Sequence, residues 1–117
     1  MNKILIVEDD ARAQSLLKVF FESKGLSVES ALDGMEGLEK LKKGVPDLVL
    51  LDVIMPKLDG YGFIREIKKV PEWRSLPVVV FTAREMLRDM FVQEGVKDFV
   101  LKPYDPAVLY DTIAKYL

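Results

Sequence analysis

Glu8, Asp9, Asp10, Asp52, Thr82 and Lys102 are the residues of this sequence whose types could do chemistry together. Each group closes a short apolar run: residues 4–7 lead into the three acids, 48–51 into Asp52, 78–81 into Thr82, and 99–101 into Lys102. Carboxylates drawn into one place repel one another, which favours either raised pKa values or a bound cation. The chain has no cysteine and no histidine, so only oxygen ligands are on offer and a hard cation is implied. Mg²⁺ suits a site of two carboxylates, a carbonyl and waters. Taken singly, each residue has a plainer reading. An Asp at a strand end commonly forms a turn or caps a helix, and Asp10 is placed to cap the first one. A Thr there serves β-propensity, and a Lys before proline is usually a solvated charge. The joint arrangement, one group at the end of each of four different runs, carries the argument.

The elements that must position these residues follow from the hydrophobic pattern. Strands are expected over residues 3–7, 27–31, 47–51, 78–82 and 98–101. Leu48-Val49-Leu50-Leu51 and Val78-Val79-Val80-Phe81 are apolar without alternation, the habit of parallel strands covered on both faces. Between them the spacing predicts helices over 11–24, 35–43, 61–70, 85–94 and 106–116. The first carries Leu16, Leu17, Phe20 and Phe21 and ends at Gly25, and the last opens with Asp105 and Pro106. Strand–helix repeated five times, with right-handed crossovers, gives an open parallel sheet with helices on both faces. Ligands of such sheets lie at the carboxyl ends of the strands, where the acids, Asp52, Thr82 and Lys102 are expected to converge.

The 117 residues fit one compact domain. Seventeen basic against 19 acidic residues give a formal charge of −2, with no global pull toward nucleic acid. Disulfides, thiol chemistry, histidine general bases and a phosphohistidine on this chain are excluded by composition. The apolar run at residues 4–7 is far too short for a signal-peptide core or a membrane span, so a cytoplasmic protein is expected.

The pattern Ile4-Leu5-Ile6-Val7-Glu8-Asp9-Asp10, the block Leu51-Asp52-Val53-Ile54-Met55-Pro56-Lys57-Leu58-Asp59-Gly60, the pair Thr82-Ala83 and the run Phe99-Val100-Leu101-Lys102-Pro103-Tyr104 resemble the receiver domain of two-component response regulators. The resemblance covers essentially the whole chain and is similar in extent to single-domain regulators of the chemotaxis type. It implies a flavodoxin-like (βα)5 fold with strand order 2-1-3-4-5, residues 1–117 forming one receiver domain without an effector domain. It also implies that Asp52 is the phosphoacceptor, that Asp9 binds Mg²⁺ directly and Glu8 through a water, and that the Ile54 carbonyl supplies a further metal oxygen. Lys102 then sits by Asp52 or the phosphoryl oxygens, Thr82 hydrogen-bonds a phosphoryl oxygen, and Phe99 is the switch aromatic, a position it could equally fill as a core residue. Lys102–Pro103 becomes a candidate cis peptide. The implied donor is a sensor histidine kinase or phosphotransfer protein. The implied downstream partner is a protein docking on the face of the fourth helix, fifth strand and fifth helix, with no membrane or direct nucleic-acid role. Such a domain catalyses only its own phosphorylation and dephosphorylation.

Met86, Met90, Phe91, Val108 and Tyr110 belong to that face, although helical spacing favours them as core residues. The stretch from Thr82 to Gly95 is shorter than the family's usual one, which bears on how far Thr82 and Phe99 move. Ile54 and Arg84, two positions after the acceptor and after the switch threonine, imply a moderately long-lived phosphoryl state. Three other readings are weaker. A phosphohydrolase of the haloacid-dehalogenase type needs a second Asp where Ile54 stands. A flavodoxin-like cofactor binder needs phosphate-cradling donors where three acids stand. A degenerate receiver acting as a plain interaction module would have no need of Asp52, Thr82 and Lys102.

Overall fold

The computed structural model describes residues 2–53 and 59–117. Five strands, β1 (Lys3–Val7), β2 (Ser27–Ala31), β3 (Leu48–Asp52), β4 (Val78–Thr82) and β5 (Asp98–Leu101), form one parallel sheet in the order β2-β1-β3-β4-β5. Helices α1 (Ala11–Ser23), α2 (Gly34–Lys43), α3 (Gly60–Lys68), α4 (Arg88–Gln93) and α5 (Pro106–Ala114) alternate with them. This is the open parallel sheet the repeat implied, in the flavodoxin-like strand order the resemblance implied. Four strands start and end as expected from the sequence, and β3 is shifted one residue on, so that Asp52 itself belongs to the strand.

The continuous apolar runs are divided by the two-residue period of the strand. Leu5, Val7, Val49, Leu51 and Val80 face a core closed by Leu38, Leu41, Phe63, Ile67 and Phe91 of α2, α3 and α4. Their neighbours Ile4, Ile6, Leu48, Leu50, Val79 and Phe81 face a second core closed by Leu17 and Phe21 of α1 and Leu109 and Ile113 of α5. Both faces of β1, β3 and β4 are therefore dry, which is why these strands show no polar alternation. On α1 the apolar stripe is narrower than the spacing suggested: Leu17 and Phe21 are buried, whereas Leu16 is 72% exposed.

Aspartates start four of the five helices. Asp10, Asp33, Asp59 and Asp105 accept from backbone N–H groups in the first turns of α1, α2, α3 and α5, satisfying donors that the helix cannot pair internally. The exception is the region expected as one helix over 85–94. A 3₁₀ turn at Glu85–Leu87 precedes a six-residue α4, whose start has no side-chain cap, and Phe91 is its only buried residue. Without a cap or a broad apolar face, little locks a longer helix. Of the apolar residues favoured as core there, Phe91 is buried and Tyr110 is half-buried against Phe21. Met86, Met90 and Val108 are exposed, because their helices turn those positions away from the sheet.

Gly25 closes α1 with φ of 86°, a left-handed conformation natural to glycine. Gly60 is needed for space. A Cβ there would stand 2.7 Å from Val53 Cα and 2.9 Å from the Asp52 carbonyl oxygen, and the Gly60 N–H donates to the Val53 carbonyl at 2.9 Å. Backbone atoms cannot yield as a flexible side chain can. Gly60→Ala is expected to lower stability by about 1–3 kcal/mol in urea unfolding, and an unchanged midpoint would show that the end of β3 and the start of α3 are not locked together.

Candidate functional site

Parallel register brings four strand ends to one edge. Val7 is level with Leu51, Asp52 with Phe81, and Thr82 with Leu101. The residues that follow β1 and β5 therefore stand beside Asp52 and Thr82 without a long loop to place them. One carboxylate oxygen from each of Glu8, Asp9 and Asp52 lies within 4.8 Å of the other two. Glu8 and Asp52 are buried, and Asp9 is exposed at the rim. Lys102 Nζ donates to Glu8 Oε1 at 2.8 Å and lies 3.4 Å from Asp52 Oδ2. The ammonium is thus shared between two carboxylates and sits closer to Glu8 than to Asp52. It also stands 4.8 Å from the Phe81 ring centroid, and Phe81 meets Tyr104 edge to face at 5.8 Å, so an aromatic face supports the cation.

The remaining expected residues are distributed as follows. Asp52 Oδ1 accepts from its own neighbour Val53 N–H at 2.7 Å. Asp10 serves as the α1 cap, while its N–H donates to Glu8 Oε2 at 3.3 Å. Thr82 is buried at the next strand end, where its Oγ1 accepts from the Arg84 N–H at 3.4 Å. Lys102–Pro103 is cis. Phe99 is buried in the core on the α2–α4 side, with the Arg88 guanidinium 5.0 Å from its ring centroid. Ile54 lies outside the described residues. Three carboxylates against one ammonium leave a formal charge of −2 on an open cavity bounded by Glu8, Asp9, Asp52, Lys102 and Tyr104. An all-oxygen, net-negative donor set of this kind fits a hard divalent cation such as Mg²⁺.

The family model for the response regulator receiver domain matches residues 4–114. The chain belongs to this family. It is 39% identical, over a 119-position alignment that covers all of this chain, to a CpxR-homologous transcriptional regulatory protein of Haemophilus influenzae, of which it covers 51%. It matches the signal receiver domain of a Syntrophus aciditrophicus signal-transduction histidine kinase with a TM-score of 0.91 and 34% identity, covering all of this chain and 90% of that one. It matches the response regulator TrrA of Thermotoga maritima, solved in complex with Mg²⁺ and beryllofluoride, with a TM-score of 0.89 and 29% identity, all of both chains being covered. The chain spans about half the length of the curated regulators it matches, and 14% of a sensor histidine kinase. Receiver domains of two-component systems are signalling switches that bind Mg²⁺ at an acidic pocket. Among the described residues no helix is long and apolar enough to cross a membrane.

One residue of this receiver domain escaped the sequence reading. Gln14 of α1 is 95% buried, and the two N–H groups of its Nε2 are shared among the backbone carbonyls of Ile6, Glu8 and Ala31, at 2.8, 3.1 and 2.8 Å. The available signal was a polar residue three before Leu17 and seven before Phe21, on the buried stripe of its helix. Electrostatics at the edge follow from the crowding. Partial desolvation, then the hydrogen bond and negative charge of Glu8, hold the Asp9 carboxyl above its usual range. Burial alone would lower the Lys102 ammonium, but Glu8 and Asp52 outweigh it and raise it above the ordinary lysine value. A carboxyl whose folded pKa is raised contributes stability below its unfolded pKa and loses it as pH rises through the folded value. Metal-free Asp9→Asn is therefore expected to melt above wild type near neutral pH in EDTA, with the gap closing as pH falls into the carboxylate range. A variant no more stable than wild type near neutral pH would show that Asp9 is not under strain from its neighbours.

Proposed function

We propose that this receiver domain is a phosphoacceptor switch in which Asp52 accepts a phosphoryl group from a histidine kinase or phosphotransfer protein. The observation that carries the reading is Lys102 bridging Glu8 and Asp52 in a site that remains net negative. An Asp52 carboxylate oxygen attacks phosphorus, the bond from phosphorus to the donor nitrogen breaks, and the donor leaves with that electron pair. The product is an aspartyl phosphate, with about −2 of charge on the phosphoryl oxygens near neutral pH. Glu8, Asp9 and Asp52, with the Ile54 carbonyl, would hold Mg²⁺, Asp9 directly and Glu8 through a water. Bound there, the ion would neutralise charge that builds on the transferring group.

The chain's own residues do the rest. The Lys102 ammonium is near enough to Asp52 to follow a phosphoryl oxygen, and Glu8 keeps it aimed across the cavity. Thr82, one strand over, donates its hydroxyl to a second phosphoryl oxygen. Phe99 moves into the space that Thr82 vacates, and the change reaches the face of α4, β5 and α5. The exposed Met86, Met90 and Val108 supply adaptable apolar contact there for a downstream protein. The domain acts in the cytoplasm and itself contacts neither nucleic acid nor membrane. Arg84, exposed two residues after Thr82, screens the phosphoryl group from water and lengthens its life.

Incubation with acetyl phosphate and Mg²⁺, followed by intact mass spectrometry, is expected to add the mass of one phosphoryl group to wild type and none to Asp52→Asn. EDTA should abolish the gain. Lys102→Ala should still bind Mg²⁺ but lose most of the labelling. Equal labelling of wild type and Asp52→Asn would remove Asp52 as the acceptor.

A further inference from the structure

We infer that Gln14 is a positioning residue for the acidic pair of β1, setting the angle between the Glu8 and Asp9 carboxylates and so the affinity of the site for a divalent cation. The inference rests on the cation-binding reading of the cluster. Gln14 lies one turn into α1, four residues after Asp10, and touches neither Asp9 nor Asp52 through any hydrogen bond among the described residues. Its reach is through backbone. The Glu8 carbonyl belongs to the peptide plane that joins Glu8 to Asp9, so a donor fixed on that oxygen fixes the plane from which both side chains depart. The other two acceptors complete the brace. Ile6 lies in β1, and Ala31, the last residue of β2, also accepts from the Glu8 N–H at 3.0 Å. One buried amide thus ties the end of β1 to the end of β2 at the point where the chain leaves the sheet.

Chemistry decides which way the amide points. Three carbonyl oxygens surround the end of the side chain, so the NH₂ must face them, and a flipped amide would set its oxygen against all three. Gln14 Oε1 is correspondingly without a hydrogen-bond partner among the described residues, although it is buried. The sequence therefore leaves one acceptor unpaired in exchange for two N–H groups spread over the strand-end carbonyls, which is an unfavourable choice for packing alone, where Leu or Met would suit the stripe shared with Leu17 and Phe21. A side chain of this kind that orients metal ligands typically matters by about tenfold or more in metal affinity when removed.

The test uses ¹⁵N-labelled protein titrated with Mg²⁺, read at the backbone amides of the β1 end. Gln14→Met keeps length and removes the donors, and Gln14→Glu keeps shape but turns a carboxylate oxygen toward the carbonyls. Leu109→Ala, in the second core and away from the cluster, is the control for lost stability. Gln14→Met is expected to stay folded and weaken Mg²⁺ binding by about tenfold. Gln14→Glu should weaken it at least as much, and Leu109→Ala should leave it unchanged. In EDTA, the Asp9 and Asp10 amides should exchange with deuterium faster in Gln14→Met than in Leu109→Ala. Wild-type affinity in Gln14→Met would overturn the inference, as would failure of that variant to fold, which would assign Gln14 to general stability. No Mg²⁺ response in wild type would overturn the cation-binding reading itself, whatever Gln14 does.

Discussion

Three carboxylates held within 4.8 Å of one another are a cost that the fold must offset. Nothing in a local turn would tolerate it. The parallel register imposes it, because Glu8 follows the β1 residue paired with Leu51, and Asp52 follows Leu51 in β3. The dry cores on both sides of the sheet hold that register against repulsion, since a slip of one residue would turn every buried side chain of β1 and β3 to the opposite face. Among the described residues Lys102 then supplies the compensating charge, delivered from the end of β5, with the Phe81 ring beside its ammonium and Tyr104 against that ring. A site assembled this way remains short of positive charge, which is the property the proposed phosphoryl chemistry uses.

The same logic separates acids that work from acids that build. Asp10, Asp33, Asp59 and Asp105 are taken up by helix caps, and Asp47 accepts from the Lys3 N–H. Among the described residues, Glu8, Asp9 and Asp52 remain clustered at the carboxyl edge. Asp10 shows how narrow the distinction is. It is adjacent to the cluster in sequence, yet its side chain turns to Arg12 and Ala13 of α1.

Much of this was legible in the sequence because it depends on period and punctuation. Four apolar runs marked the strands other than β2, the alternation of strand and helix marked a parallel α/β sheet, and the resemblance to receiver domains implied the strand order. The strand ends then named Glu8, Asp9, Asp52, Thr82 and Lys102. What escaped depends on which way a side chain faces across space. Leu16 reads as apolar stripe but points outward, and Met86, Met90 and Val108 sit on turns of their helices that face away from the sheet. Gln14 reads as a misplaced polar residue until the three carbonyls beneath it are known. The region after Thr82 was legible as short, but not as a 3₁₀ turn leading into an uncapped α4. Sequence periodicity cannot report how a helix starts when no capping residue marks the place.

In the proposed switch, chemistry would become signal through the link between the acidic edge and Phe99. Thr82 and Phe99 lie on neighbouring strands, with Phe99 opposite Val80, two residues before Thr82, and Arg88 covering its ring. The most direct measurement is an amide ¹H–¹⁵N spectrum recorded with beryllofluoride, a phosphoryl mimic, with and without Mg²⁺. The account predicts that beryllofluoride shifts Asp52, Thr82, Phe99 and Lys102 only when Mg²⁺ is also present. A spectrum that stays unchanged with both, or that changes equally without Mg²⁺, would contradict it.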